Sequence, residues 1–209
     1  MNAGNKSNID SPYRGSAQIA REQFMFHETR ITARLVLEGL AEPEIISRIY
    51  RDNLFQYPTE RSLKIMARSC LARLHALDDD SLISHIAESD TVSAKQVCLY
   101  AMMKRYRLVQ DFMIDVIGAK YQRLDYTFSR REINIFMLQA QEQDFSAASW
   151  SDSTITKIRY VLMRILCENR YIDDRNAAAL NPVIIFPALE DSIRRSGNIF
   201  MLPAFNVLQ

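Results

Sequence analysis

The residues best placed to do chemistry are cations at helical spacing. Arg61, Lys64 and Arg68 stand at i, i+3 and i+7, so on a helix all three share one face, opposite a stripe of Leu63, Cys70 and Leu74. From Pro58 to Leu77, four basic residues (these three and Arg73) meet one acidic residue, Glu60, a local balance of +3. Lys157, Tyr160 and Arg164 repeat the pattern on a face distinct from Ile155, Ile158 and Ile165, while Arg130 and Arg131 open the helix before it. Rows of guanidinium, ammonium and phenol groups suit phosphate oxygens. Ser153, Thr154 and Thr156 lie near the start of the second row, where free backbone N–H groups also favour anions. Between the two rows, Val92 to Arg107 carries Lys95, Lys104, Arg105 and Arg107 with no acidic residue. This chemistry points to double-stranded DNA, held mainly through its phosphates. A lone row of cations also occurs on solvated helix faces that bind nothing.

Other chemistries find little material. His27, His75 and His85 lack helix-spaced metal partners, and Cys70, Cys98 and Cys167 are far apart with no Cys-x-x-Cys, as expected of buried free thiols in a reducing cytosol. There is no glycine-rich phosphate loop, nucleophile elbow or dinucleotide fingerprint. The run Asp78 to Asp80 reads as a helix terminus that favours negative charge. We therefore expect no enzyme, no metal and no cofactor. The formal charge of +1 does not oppose DNA binding, because acid gathers at Asp78 to Asp80, at Glu142 with Asp144, and at Asp173 with Asp174. A near-zero total can conceal a basic surface.

The elements that must position these side chains read as helices. Five glycines and six prolines in 209 residues leave too little turn chemistry for a many-stranded sheet. The expectation is all-α: a compact multi-helix globule with two helix-turn-helix-like units and a short β element near the C-terminus. A loose arm covers 1–15, an N-terminal helical half 16–125 and a C-terminal half 126–209.

Apolar periodicity predicts a helix from His27 to Leu40, a short one from Pro43 to about Asn53, and a long one from Thr59 to the acidic run. Pro43, the break at Leu54 to Tyr57 and the long helix give the first helix-turn-helix outline. Further helices follow at about 81–88 and 93–106, then at 108–121 with Phe112, Val116 and Tyr121 inward. Ser129 with Glu132 forms a capping box, stapled by Phe128 and Ile133, and starts a helix to about Gln143. Ser151 caps the next, stapled by Trp150 and Ile155, and the two make the second unit. Val183 to Phe186 is strand-like, Ala188 to Arg195 a short helix, and Ile199 to Phe205 apolar and proline-interrupted. No apolar run approaches the roughly 18 to 20 residues that span a bilayer, and the start lacks a secretory h-region, so a cytoplasmic protein without membrane contact is expected.

Three stretches carry a resemblance. FHETRITARLVLEGL (Phe26 to Leu40), NLFQYPTERSLKIMARSCLARL (Asn53 to Leu74) and WSDSTITKIRYVLMRIL (Trp150 to Leu166) look like the BrxA family of BREX (bacteriophage exclusion) systems, over about Phe26 to Asp173. The resemblance implies a core component of an antiviral defence encoded beside a methyltransferase and ATPases, with an all-helical fold similar to the NusB antitermination protein. It supplies no catalytic motif and no fixed list of DNA contacts, so the basic residues above rest on helical spacing. The expectation is a DNA-binding accessory protein, monomeric, with other BREX proteins as further partners. Two rivals remain: an RNA-binding or transcription-complex factor, and a scaffold docking through helix faces and the tail Ile199 to Phe205. The DNA reading requires basic side chains from separate stretches to gather on one exposed flank.

Overall fold

Local signals set most helix starts. Ser129 Oγ accepts from the Arg131 N–H at 3.2 Å while Glu132 Oε2 accepts from the Ser129 N–H at 2.8 Å, closing the capping box that the spacing predicts. Thr59 Oγ1 and Ser151 Oγ likewise accept from the N–H groups of Ser62 and Thr154. The computed structural model describes residues 11–208, so residues 1–10 of the expected N-terminal arm lie outside the described residues. In chain order the helices are α1 (Ile19–Glu22), α2 (Phe26–Leu37), α3 (Glu42–Arg51), α4 (Glu60–Leu77), α5 (Asp80–Glu88), α6 (Thr91–Arg105), α7 (Arg107–Asp111), α8 (Ala119–Gln122), α9 (Arg130–Gln143), α10 (Phe145–Ala148), α11 (Asp152–Glu168) and α12 (Pro187–Arg195).

The fold is all-α. The expected β element does not form: among the described residues there is only an isolated bridge between Thr127 and Ala179, and 183–186 pairs with no strand. Side chains hold that segment instead. The Phe186 N–H donates to Gln96 Oε1 at 2.8 Å, its ring stacks on His85 at 3.9 Å, and Pro187 then starts α12. Two compact units interleave along the sequence. The first takes the residues up to Gln23, then Tyr106–Ile184, then those from Phe200 onward; the second takes Phe24–Arg105 and Ile185–Ile199.

In the second unit α4 packs against α2, α3 and α6. Leu63, Met66, Ala67, Cys70 and Leu71 of α4 are buried with Leu35, Ile45, Ile49 and Phe55, as the apolar stripe predicts. Asp78, at φ +53°, ends α4, and Asp79 caps α5 by accepting from Ser81 N–H at 3.0 Å. α6 is buried on nearly every side, Ala94 to Met103 included except at Lys95. Cys70 and Cys98 are free and buried, and burial pushes their thiols up to about 11 and about 12, which leaves them inert as nucleophiles.

In the first unit α1 packs on α11, and α9 packs on α10 and α11. Between α7 and α8 the chain winds as a π-helix over Phe112–Gly118. Its wider turn moves the inward set to Phe112, Met113, Ile117 and Gly118, so Val116, expected inward at α-helical spacing, is half-buried. The tail makes a 3₁₀ stretch, Ile199–Phe205, that buries Leu202 and Phe205 completely. Each such side chain contributes about 1.5–3 kcal/mol of apolar burial. A Cβ on Gly118 would stand 3.0 Å from Pro203, so only glycine admits the tail this close. Tyr171 Oη donates to Ala204 O at 2.9 Å. Among the described residues no helix is long and apolar enough to cross a membrane.

Candidate nucleic-acid interface

The outer face of α4 carries Arg61 and Arg68, both exposed and neither in a hydrogen bond or ion pair among the described residues. Lys64 lies between them, 3.6 Å from Glu60 Oε2 and 4.1 Å from the centre of the Tyr50 ring. An exposed pair of this kind is worth about 0–1 kcal/mol, so the ammonium can exchange its partner for a phosphate. Arg73 does not belong to this face. It is 1% exposed, and its Nη1 donates to Phe24 O at 2.6 Å. The spacing i+12 from Arg61 has carried it around the helix to the α2 side, and it must be removed from the candidate DNA contacts.

The stretch between the two rows is partly consumed by structure. Lys104 Nζ donates to Leu77 O at 2.9 Å, closing the C-terminus of α4, where a cation suits the helix dipole. Lys95 sits over the Phe26 ring at 5.4 Å, and Arg107 pairs with Asp111 at 2.6 Å. Arg105 is exposed.

On α9 and α11 in the first unit, Arg131 and Lys157 are exposed and make no side-chain hydrogen bond or ion pair among the described residues. Arg164 is tied inward: Nη1 donates to Gln23 Oε1 at 2.6 Å, and Nε lies 3.4 Å from Glu168 Oε1. Arg130 and Tyr160 border a cleft of about 290 Å³, together with Ile133, Asn134, Arg159, Met163 and Arg175. Arg130 donates through Nε to Arg175 O (3.1 Å) and through Nη2 to Asn176 Oδ1 (3.0 Å). Arg175 donates to Tyr160 Oη at 2.8 Å, with its guanidinium 4.6 Å from that ring's centre. No carboxylate lines this cleft. Among the described residues no cluster of His, Cys, Asp and Glu could hold a metal ion.

The BrxA family model matches residues 12–197. This chain belongs to the BrxA family. The curated protein described as BREX protein BrxA from Bacillus cereus (strain H3081.97) is 32% identical over 185 residues, covering 88% of this chain and 92% of its own. The BREX protein BrxA of Escherichia coli O9:H4 (strain HS) is 27% identical over 83% of this chain and 81% of its own. A crystal structure described as an uncharacterized protein from Magnetospirillum magneticum superposes with a TM-score of 0.75 at 24% identity, covering 90% of this chain and 96% of that one, which establishes the shared fold.

Helical spacing found Arg130 and Tyr160 but missed Asn134, Arg159 and Arg175. Asn134 is one turn from Arg130 on α9, and Arg159 is next to Tyr160, so both were within reach of the same reasoning. Arg175 comes from the loop after α11, where no periodicity announces it.

Proposed function

We propose that this BrxA-family chain is a non-enzymatic accessory protein of a BREX phage-defence system that binds double-stranded DNA, mainly through its phosphates. The helix pairs α3–α4 and α9–α11 serve as its helix-turn-helix-like units, and it acts as a monomer alongside other BREX proteins. The observation that carries the reading is that, of the cations at helical spacing, Arg61 and Arg68 on α4, Arg131 on α9 and Lys157 on α11 are exposed and have no side-chain partner among the described residues. Cations left in this state are available to displace the counterions of a duplex, whereas Arg73, Lys104 and Arg164 are spent on the fold. Eight residues, 52–59, separate α3 from α4, longer than the three or four of a tight helix-turn-helix turn.

Titrating a labelled duplex at several salt concentrations tests this. Neutralising about four to six phosphates gives a log–log slope of roughly −4 to −5. A flat salt dependence, or tighter binding of hairpin RNA in competition, overturns the assignment and moves it to an RNA-binding factor.

A further inference from the structure

The cleft between α9, α11 and the loop at Arg175 has more positive charge than the fold uses. Three guanidiniums border it, no carboxylate does, and Arg159 makes no hydrogen bond or ion pair among the described residues. Its Nε is moreover buried without an acceptor. Leaving a buried donor unmade costs about 1–3 kcal/mol, and more for a charged group, so an acceptor brought into the cleft would offset a cost the fold otherwise carries.

We propose that this cleft is a site for a phosphate monoester, that of a nucleoside monophosphate, either free or at the end of a nucleic-acid strand. Arg130 and Arg175 are fixed by their bonds to Arg175 O, Asn176 Oδ1 and Tyr160 Oη, and those bonds leave Nη1 of Arg130 and both Nε and Nη1 of Arg175 uncommitted. Guanidiniums held this way lose little freedom on binding. A diester offers two charged oxygens and one negative charge; a monoester offers three and nearly two charges at neutral pH, which matches three arginines better. The remaining lining suits a nucleoside. Ile133 and Met163 give apolar contact, and the Asn134 amide can meet a base edge. A volume of about 290 Å³ lies at the small end of ligand pockets, enough for one nucleotide.

The site does not depend on the duplex reading, which rests on Arg61, Arg68, Arg131 and Lys157, none of which lines the cleft. Calorimetric titration of the full chain with dAMP, deoxyadenosine, inorganic phosphate and phosphoserine tests it, with binding to closed circular duplex measured in parallel. We expect dAMP to bind and deoxyadenosine not to. Arg159→Gln should weaken dAMP at least tenfold while the melting temperature and the affinity for circular duplex stay unchanged, and Arg175→Gln should repeat the result. A 5′-phosphorylated oligonucleotide that displaces dAMP, where its 5′-hydroxyl twin does not, identifies the strand end as the source; displacement by neither identifies the free nucleotide. Absence of dAMP binding, unchanged binding in both variants, or phosphoserine or inorganic phosphate binding as tightly as dAMP overturns the proposal.

Discussion

Replacing Arg61, Lys64 and Arg68 together by glutamine should flatten the salt dependence of DNA binding while leaving the fold in place. Among the described residues Arg61 and Arg68 make no hydrogen bond or ion pair, and Lys64 gives up an exposed pair with Glu60 and its place over the Tyr50 ring. Those two contacts are worth about 1–2 kcal/mol together. For a chain of this size each kcal/mol moves the melting temperature by about 2–4 °C, so the variant should remain folded well above room temperature. The binding effect is larger. Each phosphate neutralised adds about −0.9 to the log–log slope, so losing three contacts reduces its magnitude by about 2.7. Between 50 and 200 mM salt, the parent should then lose about 40-fold more affinity than the variant. Fluorescence anisotropy of a labelled duplex at four or five salt concentrations measures this, with circular dichroism confirming the fold. An unchanged slope in a folded variant refutes the role of this helix face.

Two further outcomes concern the scaffold. Gly118→Ala should destabilise the chain by up to about 2 kcal/mol in urea unfolding, because overpacking against Pro203 at 3.0 Å outweighs alanine's helix preference; a gain in stability would mean the tail yields cheaply. At Asp79 burial opposes ionisation, but hydrogen bonds from Ser192 and Ser81 hold the carboxyl below its ordinary 3.8. Its contribution is therefore present above that value and lost as pH falls through the lower folded one. Asp79→Asn, which keeps a capping oxygen, should be less stable than the parent at pH 7, and the two urea-unfolding curves should converge as pH drops below 3.8; parallel curves would show that the charge contributes nothing.

The helices were legible wherever local rules acted alone. Ser129 with Glu132, Thr59 and Ser151 each fix a helix start by their own hydrogen bonds, and the Leu63 to Leu74 stripe identifies the buried side of α4. What escaped was decided by partners distant in sequence. Arg73 has the composition of a surface residue and is drawn under by the Phe24 carbonyl. Val183 to Phe186 has the apolar content of a strand, yet Gln96 and His85 take the place of a neighbouring strand. The π-helical turn at Phe112–Gly118 shifts its inward positions by one residue, which no α-helical wheel anticipates. The arginine cleft was half visible, since α9 and α11 each show their basic residues, whereas Arg175 reaches it from a loop.

The interleaving of the units has a consequence for synthesis on the ribosome. Leu202 and Phe205 belong to the unit that also contains the earliest described residues, and both are fully buried there. That unit cannot close until Leu202 and Phe205 have emerged, so a chain stopped after Ile199 leaves unfilled a core whose first side chains were made before Gln23.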